Sequence, residues 1–323
     1  MKYATLPGVN KQVSRIGQGL MILHEDDLDG GFALLDALFE AGVTLFDSAH
    51  VYGGGSCDRV LGAWVRDRGL REKVVLLDKC SHHNRDRKRV TPFDVTADLH
   101  DCLARLKFDT IDVFAFHRDD ASQPVGPLVE RLNEHIREGK ILAYGASNWS
   151  HERIREANAY AEANGLVPMA LSSPHYSLAE CLADPWGGDS VSITGPAGAD
   201  ARRWYRESQL AVVPWSSLSG GFFSGRFTRD NLESFTDGND TRCVRCFCGE
   251  DNFRRLDRAK ELAAEKNATV AQIALAYAIC GDLNCFPLMA AWTVDQAVEN
   301  GAAGDLELTA EEVAWLDLRR DER

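Results

Sequence analysis

Short apolar runs recur along the chain, and each is followed by a loop and an amphipathic segment. We find eight such runs: Val13–Gly19, Val43–Asp47, Val74–Asp78, Ile111–His117, Ile141–Ser147, Met169–Ser173, Leu210–Trp215 and Asn284–Met289. Because these runs are continuous rather than alternating, they are typical of parallel strands covered on both faces. The pattern predicts that residues 1–323 form a single (β/α)8 TIM barrel domain, although an open parallel sheet would give the same count.

Helical periodicity fills most of the intervals between these runs. The predicted helices are Gly31–Gly42, Val95–Leu106, Val129–Gly139, Asn252–Lys266, Val270–Ile279 and one that begins at Thr309. Glu312 completes a capping box with Thr309. Two polar, glycine-containing stretches, Ala179–Asp200 and Thr228–Glu250, each follow a predicted strand. We expect both to be long loops on the C-terminal face of the barrel, where loops shape substrate and cofactor sites.

The charge balance and the cysteine count exclude several classes of partner. The formal net charge is -13, which disfavours nucleic acid and anionic membrane surfaces. No uninterrupted apolar stretch approaches the ~18 residues of a membrane span, and Met1–Gly8 does not resemble a secretory signal. The nine cysteines are an odd, scattered set that fits reduced thiols. We therefore expect a cytoplasmic protein that acts on a small molecule, and the sequence does not determine its oligomeric state.

Four polar side chains lie at the ends of neighbouring predicted strands. Asp47 ends the second strand, and Tyr52 lies in the loop after it. Lys79 follows the third strand and His117 ends the fourth. Because the C-terminal strand ends of a barrel converge on one mouth, we expect these four side chains to meet there.

The chemistry of this set suits proton transfer to a carbonyl oxygen. A tyrosine hydroxyl has a pKa of about 10 in water, and the ammonium of Lys79 is expected to lower that pKa. Asp47 would pair with Lys79, and His117 would donate a hydrogen bond to the carbonyl oxygen that Tyr52 protonates. Each residue alone has an ordinary structural explanation: a helix cap for Asp47, a turn for Tyr52 and core packing for His117. The hypothesis therefore rests on the joint pattern.

Several motifs extend this pattern to nearly the whole chain. They are Asp47-Ser48-Ala49 with Tyr52-Gly53, the residues Lys79 and His117, Tyr144 to Trp149, Pro214 to Leu218, Gly220-Gly221 with Ser224-Gly225-Arg226, and Gln296 with Asn300. In their order and content they resemble the aldo-keto reductase superfamily. The resemblance implies a (β/α)8 barrel that transfers hydride between a nicotinamide cofactor and a carbonyl or alcohol, with Tyr52 as the general acid and base.

The resemblance also implies the cofactor contacts. Ser147 and Asn148 would bind the nicotinamide carboxamide, and Trp215 would stack on the nicotinamide ring, where relatives usually have tyrosine. The pyrophosphate would be held by Ser216, Leu218 and Gly221, and the adenosine end would be met by Gln296 and Asn300. A Rossmann crevice is not expected, because no Gly-x-Gly-x-x-Gly motif follows the first strand.

The sequence departs from the family pattern at two cofactor positions. Ser173 stands where relatives commonly have a glutamine that reaches the carboxamide, and a serine hydroxyl is shorter. Trp292 lies in the stretch where relatives often have cationic residues that bind the 2′-phosphate of NADP, and it supplies no cation. Arg226 could supply one instead. We favour NADP(H), with NAD(H) as the competitor.

Loop residues near the expected mouth indicate the substrate class. The candidates for substrate binding are His50, Arg118, Asp119, Trp149 and Trp186. Aromatic faces beside hydrogen-bonding groups suit a sugar or polyol-like carbonyl, although Arg118 could instead bind an acid group of the ligand. A solvated turn is the alternative explanation for Arg118 and Asp119.

Two other functions remain open from the sequence. Cys243, Cys246 and Cys248 lie close enough in the chain to suggest zinc or an iron–sulfur cluster, but their spacing is not standard, and we assign no metal site. A protein of this fold can also use cofactor binding as a sensor within a larger complex. Intact Asp47, Tyr52, Lys79 and His117 favour an enzyme over such an accessory subunit.

Overall fold

The computed structural model describes all 323 residues. The chain begins with an antiparallel hairpin of two strands, β1 (Tyr3–Leu6) and β2 (Val9–Ser14). Eight parallel strands follow and form one sheet. They are β3 (Gly17–Gly19), β4 (Leu45–Asp47), β5 (Val75–Cys80), β6 (Ile111–Phe116), β7 (Ile141–Ser147), β8 (Leu171–Ser173), β9 (Ala211–Val212) and β10 (Leu288–Met289).

The sheet closes on itself. Strands β3 to β9 pair in chain order, and β10 pairs with β3, with Leu288 opposite Gly17. Between β9 and β10, the amide of Val212 donates to Asn284 O at 2.9 Å, and the amide of Phe286 donates to Val212 O at 2.8 Å. These bonds join the two ends of the sheet, so the predicted (β/α)8 barrel is confirmed and the open sheet is excluded.

Eleven α-helices surround or cap the barrel. They are α1 (Leu28–Glu40), α2 (Ser56–Arg68), α3 (Pro92–Leu106), α4 (Val125–Arg137), α5 (His151–Ala163), α6 (Ala199–Ser208), α7 (Gly238–Phe247), α8 (Glu250–Lys266), α9 (Val270–Cys280), α10 (Val294–Gly301) and α11 (Ala310–Leu316). The capping box of Thr309 and Glu312 is present as predicted. None of these helices combines the length and the apolar character that crossing a bilayer requires.

Strand residues alternate between the barrel interior and the helix layer. In β5, Val75 and Leu77 belong to the cluster that fills the barrel, whereas Leu76 and Cys80 belong to the cluster under the helices. Both faces are therefore buried, which explains why the strands appear in the sequence as continuous apolar runs. The hairpin residues Leu6 and Val9 belong to the interior cluster.

The first apolar run, Val13–Gly19, is divided between two elements. Val13 ends in the hairpin, and the barrel strand begins only at Gly17. A Cβ atom on Gly17 would lie 2.7 Å from Leu288 Cδ2 and 2.9 Å from Leu45 Cδ2. The tight packing of the neighbouring strands therefore requires a glycine at this position.

The expectation of a loop throughout Thr228–Glu250 is wrong, because α7 lies within it. Asp237 caps this helix by accepting a hydrogen bond from the amide of Asn239 at 2.8 Å. Cys243, Cys246 and Phe247 are buried on one face of the helix, and their spacing was the sequence signal for it. The helices α2, α5, α6 and α10 are also absent from the set predicted from the sequence.

Candidate active site

The interior face of the barrel brings the candidate catalytic residues to its C-terminal mouth. Asp47, Lys79 and His117 each lie two residues beyond an apolar side chain that fills the barrel. Those apolar residues are Leu45, Leu77 and Ala115. Since side chains alternate along a strand, the three polar groups continue the same interior face past the packed layer.

Lys79 is the centre of this site. Its Nζ lies 2.5 Å from Asp47 Oδ1, donates to Ser48 O at 2.8 Å and lies 3.4 Å from Tyr52 Oη. The ammonium also lies 4.9 Å from the centre of the Tyr52 ring. Asp47 and Lys79 are both buried, so each charge depends on the other. The structure thus brings together the four residues expected at the mouth, since the Tyr52 ring also packs against His117.

The net direction of the Tyr52 pKa differs from the sequence expectation. Burial raises the pKa of Tyr52 above its ordinary value, and Lys79 lowers it by less than burial raises it. Burial also lowers the pKa of Lys79, whereas Asp47 and Tyr52 raise it by more, so that the net pKa lies above its ordinary value. Near neutral pH the phenol is therefore protonated beside a charged ammonium, which is the state that a proton donor needs.

His117 packs edge-on against Tyr52, with ring centres 5.5 Å apart and an interplanar angle of 82°. Burial and the charge of Lys79 together hold the pKa of His117 well below its usual range. The imidazole is therefore neutral and has one N–H to donate. His82, which is not among the residues expected at the site, lies with its ring centre 4.7 Å from that of His117. The sequence contains one indication of this placement, since His82 lies two residues after the end of β5 and therefore near the mouth.

The expected nicotinamide residues lie side by side above the barrel interior. Ser147 Oγ donates to Ser173 O at 2.8 Å, and Asn148 Nδ2 donates to His117 O at 3.2 Å. The Trp215 indole nitrogen donates to Asn148 Oδ1 at 3.2 Å. Ser173 Oγ is buried without a hydrogen-bond partner. An unpartnered buried hydroxyl beside a half-buried indole is consistent with a polar, planar ligand at this point.

The expected pyrophosphate segment has an unusual backbone. Ser216 has a φ of 52°, and Gly220 and Gly221 have φ values of 63° and 93°. Leu218 lies between Ser216 and Gly220, directly before a 3-10 helix that covers Ser219–Ser224. The space next to Gly221 is open, because the nearest atom to a Cβ built there is Arg226 Nη2 at 3.9 Å. Left-handed residues in succession turn backbone N–H groups toward one side and form anion-binding concavities.

The expected adenosine residues, Gln296 and Asn300, lie on α10, and Trp292 lies just before it. Gln296 Oε1 accepts a hydrogen bond from the amide of Trp292 at 2.9 Å, and Asn300 is buried. Trp292 is 66% exposed, so its ring is free to contact a ligand. Arg226 is bound to Asp240 of α7 at 2.7 Å, so its guanidinium is already paired.

Two of the substrate-binding candidates do not face the mouth. Trp149 is completely buried, stacks on Phe116 with ring centres 4.9 Å apart and donates from its indole nitrogen to Arg118 O at 3.1 Å. A side chain with no exposed surface contacts no ligand, so Trp149 supports the site from behind. His50 turns toward α3, where its Nε2 lies 3.0 Å from Asp101 Oδ2.

The other substrate-binding candidates belong to the loops around the mouth. Asp119 is paired with Arg153 of α5 at 3.4 Å. Trp186 is 43% exposed, and the guanidinium of Arg242 from α7 lies 4.2 Å from its ring centre. Arg118 is buried and directly follows His117. Of the five candidates, Arg118 thus combines proximity to His117 with a free charge.

The thiols of Cys243, Cys246 and Cys248 are not brought together as a three-ligand group. Cys243 and Cys246 pack inside the core cluster around α7. The ligand atoms that lie within 4.8 Å of one another belong instead to Asp58, Asp78 and Cys102. This group lies behind the mouth, where burial and the charge of Asp58 raise the pKa of Asp78 well above its usual value. Burial likewise raises the pKa of Asp58.

Comparisons with known proteins show which family this chain is similar to. A sequence profile of the Aldo/keto reductase family matches residues 15–318. A protein of Oryza sativa subsp. japonica, named as a probable voltage-gated potassium channel subunit beta, is 27% identical over 314 residues, which is 95% of the chain and 92% of the rice protein.

Two solved structures have the same fold. The glycerol dehydrogenase of Gluconobacter oxydans has a TM-score of 0.78 at 21% identity, covering 98% of this chain and 94% of that one. An aldo/keto reductase of Klebsiella pneumoniae, solved with NADP and acetate, has a TM-score of 0.68 at 25% identity, covering 97% and 93% of the two chains.

Proposed function

The chain belongs to the aldo/keto reductase family, and on this premise we propose that it is a nicotinamide-dependent oxidoreductase with Tyr52 as its general acid. Its substrate is a small carbonyl compound in the reductive direction and the corresponding alcohol in the other. The observation behind the proposal is the contact chain in which Asp47 holds Lys79 at 2.5 Å and Lys79 reaches Tyr52 at 3.4 Å.

Each catalytic residue has a defined task in reduction. The carbonyl oxygen accepts hydrogen bonds from Tyr52 Oη and from the single N–H of neutral His117. When bound, a nicotinamide cofactor supplies the hydride that reaches the carbonyl carbon. Tyr52 gives its proton to the oxygen, and the ammonium of Lys79 stabilises the phenolate that remains. In alcohol oxidation the Tyr52 phenolate accepts the proton instead.

The residues around the mouth fit a nicotinamide dinucleotide. The unpartnered Ser173 hydroxyl and the half-buried Trp215 ring suit the nicotinamide, and the left-handed backbone at Ser216 and Gly221 suits the pyrophosphate. Gln296 and Asn300 would meet the adenosine. We favour NADP(H), because the Klebsiella pneumoniae relative was solved with NADP.

NAD(H) remains the competing cofactor. The 2′-phosphate of NADP needs a cation, and Trp292 has none. Arg226 would have to exchange its partner Asp240, to which it is bound at 2.7 Å. The preference for NADP(H) is therefore expected to be modest.

The Trp292→Arg variant is expected to shift the cofactor preference toward NADP(H) by about fivefold, the effect of one exposed ion pair. The ratio of NADPH to NADH dissociation constants, measured by fluorescence titration, checks this. The Trp292→Gln variant removes the same ring without adding charge and serves as the control. Equal ratios in the two variants would mean that residue 292 lies away from the 2′ position.

We further propose that the substrate is a hydroxylated carbonyl compound such as a sugar or polyol derivative, and that the protein works in the cytoplasm. The polar groups His82, Arg118 and Ser190 around the mouth support the substrate class, since they suit a ligand rich in oxygen atoms. All nine cysteines are free thiols, which is consistent with a reducing compartment.

A cofactor-sensing accessory subunit is the second candidate function. The rice relative named as a potassium channel subunit beta is the observation that favours it. The two functions differ in turnover rather than in cofactor binding.

Steady-state turnover of a panel of aldehydes, sugar carbonyls and polyols with NADPH and NADH tests the proposal. We expect cofactor oxidation with at least one hydroxylated aldehyde. Tight cofactor binding with no turnover of any panel member would instead favour the accessory subunit.

A further inference from the structure

Arg118 is a buried cation without an acidic partner. It is 9% exposed, and its Nη1 contacts Asp189 O at 3.1 Å and Ser190 Oγ at 3.5 Å, both in the loop after β8. Its guanidinium forms no ion pair, and burial lowers its pKa. Burying an unpaired charge is costly, so a protein retains one where a ligand completes it.

No carboxylate of the loops around Arg118 forms an ion pair with its guanidinium. Asp189 lies 3.4 Å from His83 Nε2 and 3.9 Å from Lys88 Nζ. Asp184 accepts hydrogen bonds from several amides of its own loop, including that of Trp186 at 2.8 Å. The side chain of Asp119 is paired with Arg153. Asp119 and Asp184 are therefore held by other groups, and Asp189 approaches His83 and Lys88 rather than forming an ion pair with Arg118.

Arg118 also belongs to the same opening as the reacting groups. It is the residue after His117, and its carbonyl oxygen is held by the indole nitrogen of Trp149 at 3.1 Å. Its guanidinium contacts Ser190 Oγ, and the amide of the next residue, Val191, donates to Asn148 Oδ1 at 3.2 Å. Asn148 in turn donates to His117 O at 3.2 Å. A ligand whose carbonyl contacts Tyr52 and His117 therefore extends toward a cation.

We propose that Arg118 binds a carboxylate of the substrate, so that the reaction is the reduction of a carbonyl compound with an acid group a few bonds from the carbonyl. This inference rests on the proposed function. Oxo acids and sugar acids with a free aldehyde are the compounds that combine these groups. A guanidinium binds a carboxylate through two parallel hydrogen bonds, which fixes the distance and the orientation of the carbonyl.

The test compares acids with their methyl esters, which have the same carbonyl and the same chain. The substrates are 4-oxobutanoate, 5-oxopentanoate and glucuronate, each against its methyl ester, with NADPH. We expect the wild type to have a higher kcat/KM for at least one acid than for its ester. In Arg118→Met this acid-to-ester ratio is expected to fall about 10- to 100-fold, mainly through KM.

Two further variants separate the subsite from general electrostatics. Arg118→Lys keeps the charge but not the paired N–H groups, so its ratio is expected to lie between those of wild type and Arg118→Met. Lys73→Met removes an exposed cation before the N-terminal end of β5, away from the mouth, and is expected to leave the ratio unchanged. An equal fall in Lys73→Met and Arg118→Met would overturn the assignment, as would a wild type that prefers no acid to its ester.

Calorimetry with saturating NADP⁺, which has no hydride to give to the aldehyde, measures binding of each acid and ester independently of reduction. If an acid binds the wild type more tightly than its ester does, and this difference is lost in Arg118→Met, the subsite is supported. This holds even if no aldehyde is reduced, in which case only the proposed enzymatic function fails. Equal binding of acid and ester to the wild type, or acid binding that persists in Arg118→Met, contradicts the subsite. If Arg118→Met does not fold, the wild-type comparison decides.

Discussion

The Tyr52→Phe variant is expected to lose about 10²- to 10⁴-fold in kcat for carbonyl reduction, the usual contribution of a positioned general acid. Phenylalanine keeps the ring that packs against His117 at 5.5 Å and beneath the Lys79 ammonium at 4.9 Å. The change therefore removes the proton donor and little else. Stopped-flow measurement of NADPH oxidation gives the rate, and fluorescence titration is expected to give a nearly unchanged cofactor dissociation constant.

The matched control for this variant is Tyr160→Phe. The Tyr160 hydroxyl donates to Glu130 between α4 and α5, away from the mouth, so its loss is expected to leave kcat unchanged. A Tyr52→Phe variant that keeps kcat within tenfold of wild type would assign the proton to another donor. A parallel loss of cofactor affinity would indicate a binding role rather than proton transfer.

The strand pattern contained most of the information about the catalytic residues. Once Leu45 and Leu77 are placed in the barrel interior, the two-residue period places Asp47 and Lys79 on the same face at the mouth. The position of His117 follows from Ala115 by the same argument. This inference needs the local periodicity, which the sequence contains, and the closed barrel, which the sequence predicts but does not distinguish from an open sheet.

The orientation of the loop residues could not be read in the same way. Asn148 adopts a φ of 58°, which turns the chain after β7 and directs Trp149 into the core against Phe116. His50 is held by contacts with Asp101 and Arg105 of α3, which are more than fifty residues away in the chain. Such orientations depend on tertiary contacts, and the distance in sequence from a strand end does not predict those contacts.

The sign of the Tyr52 pKa shift was missed for a related reason. The sequence identifies Lys79 as a charged neighbour, which lowers the pKa, but it does not measure how completely the phenol is removed from water. In the structure burial is the larger effect. The sequence likewise places Arg118 after His117, but only the structure reveals that Arg118 is buried and forms no ion pair with Asp119, Asp184 or Asp189.

The Lys79→Met variant is expected to lose both stability and catalysis. Methionine leaves the Asp47 carboxylate buried without its partner at 2.5 Å, and breaking such a pair costs about 3–5 kcal/mol. The unpaired Asp47 then has a pKa in the folded protein above its value in the unfolded chain. Its protonated form is therefore tolerated in acid, and the folded protein loses stability as the pH rises and the carboxyl ionises. Urea unfolding at several pH values is expected to show a deficit that is small near pH 4 and complete near neutrality.

The catalytic loss is separable from this instability in the Asp47→Asn/Lys79→Met double variant. Because the double variant buries no unpaired carboxylate, it is expected to recover most of the stability but not the rate. In alcohol oxidation Tyr52 acts as a phenolate, so the rate rises with pH through the pKa of Tyr52. Without the ammonium that pKa rises further, and the rate profiles of both variants are expected to move to higher pH. A profile that stays at the wild-type position in the stable double variant would mean that Lys79 holds the site together without assisting the proton transfer.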